Sequence, residues 1–226
     1  EKIRIVQLSD THFSQMMGVG FAENIVETVT PLKPDIIIHT GDFYDHSLLD
    51  PEGTFATMRK LEAPLGKYAI IGNHEYINKI EASKKHIEHS GFHLIENNNI
   101  EIGENLVIVS VADASGKRFG YEIPDDEEIL QNTDRSKYII FLKHRPKLKK
   151  GTEKKFDLML SGHTHAGQIF PFGIFVKMIF RYCNGTYNFK NGSILHVSRG
   201  SGTWGPPVRF GASSEITVID LIPLGN

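Results

Sequence analysis

"IRIVQLSDTH", residues 3–12, carries a short β-branched run into Asp10-Thr11-His12. The run is too short for a helix and rich in Ile and Val, so it reads as a strand. At its end it delivers a carboxylate and an imidazole one residue apart. Four further runs end in a similar way. "DIIIHT" (35–40) leads into Gly41-Asp42-Phe43-Tyr44-Asp45, and "KYAIIG" (67–72) leads into Asn73-His74-Glu75. "KYIIFL" (137–142) is followed by His144, and "FDLMLSG" (156–162) by His163 and His165. In α/β sheets, ligands bind in the crevice beyond the carboxyl ends of the strands. Five strand ends therefore bring oxygen and nitrogen donors to one rim.

Helical patterns separate these runs. "FAENIVETVTPL" (21–32) and "INKIEASKKHIEHSG" (77–91) have helical spacing, the second stopped by Gly91. Asp50-Pro51 is a helix start, an N-cap with proline in the first turn. "EIPDDEE" (122–128) reads as a loop entering the acidic first turn of a helix, which the macrodipole favours. With "NLVIVSV" (105–111) as another strand, the alternation predicts an α/β fold whose central sheet or sheets are covered by helices. Near the C-terminus, Asn191-Gly192 inside "TYNFKNGSILHV" (186–197) signals a hairpin, and "EITVIDL" (215–221) reads as a last strand. Asn184-Gly185-Thr186 and Asn191-Gly192-Ser193 match glycosylation acceptors, but Asn-Gly turns explain both more simply. With no repeat and no linker, residues 1–226 are expected to form one domain.

Composition narrows the function classes. The chain has 226 residues, 40% hydrophobic and 23% charged, with a net charge of −2. Those values fit a globular protein with a full core and carry none of the basic excess of a nucleic-acid binder. The single Cys183 excludes an internal disulfide framework and a cysteine-rich zinc site, and reads as a half-buried bystander. No stretch reaches the ~20 apolar residues of a membrane-spanning helix. The chain begins at Glu1 and enters a strand at once, so an upstream segment is expected. The expected location is cytoplasmic or peripheral at the cell membrane, with export left open.

Asp-x-His alone is a weak signal, but the five motifs in this order, each at a strand end, form a specific set. The chain resembles calcineurin-like metallophosphoesterases. Their D-x-H motif is met by Asp10 and His12, G-D-x-x-D by Gly41 to Asp45, and G-N-H-E by Gly72 to Glu75. The lone histidine is met by His144, and G-H-x-H by Gly162 to His165. The tail "GHTHAGQIFPF…VSRGSGTWGPPVRFGASSEITVI" further resembles the bacterial YkuE/YaeI-like branch, which includes UDP-diacylglucosamine pyrophosphatases. Ala166 stands where relatives have a second glycine.

The resemblance implies a four-layer αββα sandwich with two central mixed sheets and two metals at the strand ends. Asp10, His12, Asp42 and His165 would hold one ion, and Asp42, Asn73, His144 and His163 the other, with Asp42 bridging. Glycines would flank the paired histidines so that the backbone can turn without a Cβ in the way. Mixed oxygen and nitrogen ligation without thiolate suits Mn, Fe or Zn, Mn favoured. A hydroxide shared by the ions would attack phosphorus in line. His74 would protonate the leaving oxygen, with Asp45 orienting it. The implied activity is phosphodiester or pyrophosphate hydrolysis, extending to a lipid-linked substrate of the UDP-diacylglucosamine type. The alternatives are a phosphomonoesterase, a phosphoprotein phosphatase or a nucleotidase, and lastly a scaffold without catalysis. His46 and Ser47 stand where phosphoprotein phosphatases continue G-D-x-x-D with Arg-Gly.

Other features have plainer readings. Glu75 reads as a helix N-terminal charge, His86, His89 and His93 as helix residues or their followers, and His39 and His196 as strand residues. His46 lies where it could line the mouth. "KHRPKLKKGTEKK" (143–155) is a solvated segment or an anion-attracting patch. "IFPFGIFVKMIF" (169–180) is a buried strand or covering loop, or else a lipid-contacting flap that would bring peripheral membrane contact. "GSGTWGPPVRF" (200–210) reads as a shaped loop near the site, whose Arg209 would bind phosphate or form a structural ion pair.

Overall fold

The computed structural model describes residues 2–45 and 48–223. His46 and Ser47 lie outside the described residues. Two mixed sheets form the centre. The first has the order β11-β1-β2-β3-β4, with β1 Ile3–Leu8, β2 Ile36–His39, β3 Lys67–Ala69, β4 His93–Leu94 and β11 Thr217–Leu221. The second has the order β5-β6-β7-β8-β10-β9, with β5 Asn99–Ile102, β6 Leu106–Val111, β7 Tyr138–Lys143, β8 Leu158–Ser161, β9 Gly185–Asn188 and β10 Ile194–Val197. The inner neighbours run parallel, while β11, β5 and β9 join antiparallel at three edges.

Alternation along the strands creates the layers. Ile36 and Ile38 of β2 join Ile5, Ile108, Ile140, Leu142, Leu158 and Leu160 in a cluster between the two sheets. Ile37 points the other way and joins Val6 and Leu8 in a second cluster. That cluster includes Ala22, Ile25 and Val29 of α1 (Val19–Val29) and Phe55 and Met58 of α2 (Pro51–Arg59). On the other sheet, Val107, Val109, Ile139 and Phe141 belong to it with Leu130 of α5 (Asp126–Gln131). Strands buried on both faces explain why the sequence shows continuous apolar runs rather than alternation. The outcome is the four-layer αββα sandwich.

Local signals account for most element ends. Asp50 caps α2 by accepting from Gly53 N–H at 2.9 Å, and Asp126, Glu127 and Glu128 fill the first turn of α5. The Asn191-Gly192 turn joins β9 to β10, with Gly192 at φ 93°. Cys183 is buried, and burial pushes its thiol up.

Three expectations need correction. The helix expected over 77–91 is two helices, α3 (Asn73–Ile77) and α4 (Ile80–His89), because Lys79 adopts φ 70° and breaks the path. The short strand β4, which holds His93 just past α4, and the strand β5 were not foreseen; the alternating Asn99-Ile100-Glu101-Ile102 of β5 is polar on one side. The apolar run 169–180 is neither strand nor core. It contains the helix α6 (Phe172–Ile179), in which no residue is buried.

Candidate metal centre

The five ligand-bearing segments meet at the carboxyl ends of β1, β2, β3, β7 and β8. The backbone there is unusual. Asp10 (φ 51°), His12 (46°), Asp42 (55°), His163 (71°) and His165 (48°) all adopt left-handed conformations. Non-glycine residues seldom do so, and such strain concentrates at functional sites. Gly162 itself is not left-handed. Its Cβ would overlap the Ser9 hydroxyl and the Asp10 carboxylate, so glycine is required there by close approach rather than by the turn.

Two donor clusters result, and a third grouping, His12, Asp42 and His74, overlaps both. In one, Asp10, His12 and His165 converge, with the Nε2 atoms of His12 and His165 facing each other at 3.1 Å and Asp10 Oδ1 3.5 Å from His165 Nε2. In the other, Asp42, His144 and His163 converge, with His163 Nδ1 3.2 Å from His144 Nε2. Asp42 Oδ2 lies 3.1 Å from His144 Nε2 and 3.8 Å from His12 Nε2, so one carboxylate oxygen faces both clusters.

Outer partners orient these groups. His12 Nδ1 meets Asp45 Oδ1 at 2.9 Å, and His144 Nδ1 meets the Thr40 carbonyl at 2.8 Å. A protonated Nδ1 in each ring leaves Nε2 aimed inward, the usual second-layer device of a metal site. Asp10 accepts from His163 N–H at 3.0 Å and from the Ser9 hydroxyl. His74 Nδ1 meets the same Asp45 oxygen at 2.6 Å.

The donor set fits cations. Asn73 Oδ1 is buried at the same rim with no hydrogen-bond partner among the described residues, an oxygen left for a Lewis acid. Burial, then the neighbouring His144, drives the His163 imidazole down to about 2. Burial also holds His165 well below its ordinary value, with His12 adding to it. These two rings are neutral, as a metal requires, whereas at His144 burial is outweighed by the Asp42 carboxylate, which raises the imidazole to about 10. Burial opposes the charge of Asp42, yet His144 and His12 hold its carboxyl well below the usual range.

Glu75 is more than a helix charge. Fully buried, it accepts from the backbone N–H groups of Asp42 at 3.1 Å, Phe43 at 2.6 Å and Gly72 at 2.7 Å. It thereby ties the loop after β2 to the loop after β3. Its place in the G-N-H-E stretch was the available signal. Arg209 reaches the edge of one cluster, but it forms no carboxylate ion pair among the described residues and most of its donors are taken by backbone carbonyls. Those donors go to the carbonyls of Arg199, Gly200 and Gly202, with Nη2 3.2 Å from His165 Nδ1. The 200–210 loop, expected near the site, and the end of the 169–180 run bring Trp204 and Phe180 to the rim, where their rings lie 6.4 Å from His74 and 5.3 Å from His163. Composition alone does not mark such residues.

A double-sheet α/β sandwich with paired donor clusters at its strand ends defines a metal-dependent hydrolase. Residues 3–167 match the family described as calcineurin-like phosphoesterase. The chain belongs to that family, whose fold implies divalent metal ions. It is 36% identical over its full length to an uncharacterized metallophosphoesterase of Aquifex aeolicus. It is 33% identical over 96% of its length to the uncharacterized metallophosphoesterase YkuE of Bacillus subtilis. A relative from Danio rerio, 28% identical over 97% of the chain, is described as a transmembrane protein with a metallophosphoesterase domain. The chain spans 87% of the Aquifex protein and 78% of YkuE, but 60% of a Helicobacter pylori relative and 53% of the Danio protein. Among solved structures it is similar in fold to the NAD nucleotidase of Haemophilus influenzae, with TM-score 0.60 at 13% identity, covering 88% of this chain and 45% of that one.

Proposed function

We propose that the protein hydrolyses a phosphodiester or pyrophosphate with two divalent ions. Asp10, His12, Asp42 and His165 would hold one ion, and Asp42, Asn73, His144 and His163 the other. The observation that carries this reading is the single Asp42 oxygen facing both clusters. Bound there, the ions supply Lewis acidity and an activated water for in-line displacement. Nitrogen and oxygen donors without thiolate suit Mn, Fe or Zn over Mg, and of the three we favour Mn.

The chain's own groups do the rest. Asp45 fixes the His74 ring through Nδ1, leaving Nε2 for the leaving oxygen. Burial lowers the His74 pKa, but the hydrogen bond to Asp45 and the charges of Asp42 and Asp45 raise it to about 9. The hydrogen bond to Asp45 thus favours a ring that holds the proton it would donate.

The commitments of the arginines favour a diester over a monoester. Arg145 pairs with Asp113 at 2.8 Å, Arg199 with Glu215 at 2.6 Å, and Arg209 is used on carbonyls. A monoester dianion would want an added guanidinium that these three do not offer. A lipid-linked pyrophosphate extends this class, supported by the membrane-protein description of the Danio relative. The test is a metal-reconstituted assay comparing bis-p-nitrophenyl phosphate, p-nitrophenyl phosphate, nucleotides and nucleotide-linked lipids. Diester or pyrophosphate turnover above monoester turnover is expected. Preference for the monoester or nucleotide would return the phosphatase or nucleotidase alternative, and no turnover with any metal would return the scaffold.

A further inference from the structure

The helix α6 breaks the rule that an apolar helix is buried. Phe175 is 57% exposed, Met178 79% and Ile179 67%. Of the eighteen large apolar side chains exposed among the described residues, nine fall in residues 170–179 and 204–210. A monomeric surface seldom concentrates its exposed apolar groups this way without a binding role.

The two segments form one piece. Trp204 N–H donates to Gln168 Oε1 at 2.8 Å, and Gln168 Nε2 donates back to the Trp204 carbonyl at 2.8 Å. Phe170 N–H donates to the Phe210 carbonyl at 2.8 Å. Gly173, Val176 and Phe180 are half-buried, spaced three and four apart, so this stripe of α6 faces the protein. A Cβ on Gly173 would lie 2.9 Å from the Ala166 carbonyl, which shows how closely the helix sits on the turn after His165. The opposite face carries Phe172, Phe175, Met178 and Ile179.

Charge distinguishes the partner. No Asp or Glu occurs from residue 158 to residue 214. Lys177 lies within α6 and Arg181 just beyond it, while Lys147 Nζ sits 5.0 Å over the Phe180 ring. Lys177, four residues after Gly173, lies at the flank of the apolar face, so a partner that covers the face meets a cation at its edge. A bilayer lets the lysine stem lie along the apolar surface while its ammonium reaches the head groups. None of the helices among the described residues is long and apolar enough to cross a membrane, but a short apolar face with flanking cations suits the interfacial plane.

We infer that α6 and the 204–210 loop dock on an anionic bilayer and present the head group of an amphiphilic phosphoester to the donor clusters. The platform is continuous with the site: Phe180 at the end of α6 packs against His163, and Trp204 packs against His74. An acyl chain on the platform thus leaves its phosphate beside the rim. The inference rests on the phosphohydrolase reading for its substrate, but docking is measured without turnover.

Trp204 is the only tryptophan, so its emission reports the platform directly. Phosphatidylcholine vesicles, with and without phosphatidylglycerol, are added to the wild type and to a Phe175→Ser/Met178→Ser variant at low and high salt. The wild type should pellet with the anionic vesicles, shift its emission to the blue and be quenched by brominated acyl chains, with binding weakened by salt. The variant should bind at least tenfold more weakly while hydrolysing soluble bis-p-nitrophenyl phosphate as the wild type does. If the pair of serines prevents folding, Met178→Ser alone is the comparison. Unchanged emission and no pelleting of the wild type would overturn the inference. So would a concentration-dependent dimer abolished by the same variant, which would make the partner a second copy. Absence of soluble-diester hydrolysis by the metal-reconstituted wild type, with vesicle binding intact, would instead overturn the phosphohydrolase reading.

Discussion

One oxygen, Asp45 Oδ1, serves two imidazoles: it lies 2.9 Å from His12 Nδ1 and 2.6 Å from His74 Nδ1. A metal-facing histidine and a substrate-facing histidine are therefore aligned by the same carboxylate, and their rings meet edge to face at 4.7 Å. Asp45→Asn should weaken metal binding and turnover together, each by the roughly 10–100-fold typical of an outer partner. Metal titration beside steady-state kinetics checks this. Loss of turnover with unchanged metal affinity would restrict Asp45 to His74.

His74→Asn should keep both metals and lower kcat by roughly 10²–10⁴. The loss should be smaller for p-nitrophenolate than for an alkoxide leaving group, since a good leaving group needs little protonation. Equal losses across leaving groups would show that the ring only stabilises charge.

Asp42→Asn should damage both sites at once, so elemental analysis should find less than one tightly bound ion. Two retained ions would remove Asp42 from its bridging place.

Glu75→Gln should loosen the site without touching a donor. An amide nitrogen would face one of the N–H groups that Glu75 now receives, and an unsatisfied buried group costs about 1–3 kcal/mol. A lower melting temperature and weaker metal affinity are expected, with the donor residues intact.

Glu215 gives a pH signature. Burial raises its carboxyl, but hydrogen bonds from His196, Arg199 and Thr217 outweigh this and bring it down to about 2, against an ordinary 4.5. Because the folded value is depressed, the carboxylate stabilises the fold above pH 4.5, and that contribution is lost as the pH falls toward 2. The melting temperatures of the wild type and Glu215→Gln should differ at pH 6 and converge on acidification. A difference that grows toward acid would contradict the assignment.

The donors were legible because each follows a short Ile- and Val-rich run, and a strand buried on both faces writes itself as such a run. The helix α6 was not legible for the same reason: "FGIFVKMI" has the composition of a core segment, and periodicity over so few residues cannot say which face meets solvent. β4 is two residues long and β5 half polar, so neither rises above a loop in sequence. Glu75 was misread because its partners are backbone N–H groups of another loop, and a sequence does not show backbone groups converging. The left-handed histidines were hidden too, since neighbouring glycines drew the conformational explanation to themselves.

The donors also divide between the sheets. Asp10, His12, Asp42 and Asn73 follow strands of the five-stranded sheet, and His144, His163 and His165 follow strands of the six-stranded one. Each cluster draws on both, so ions seated there would rivet the two sheets together at one end. Ile38, Leu142 and Leu160, packed between the sheets near the ends of their strands, would then act as a spacer gauge for the distance between the two donor clusters. A methyl group removed from that gauge, far from any substrate, would be felt as a change in metal spacing.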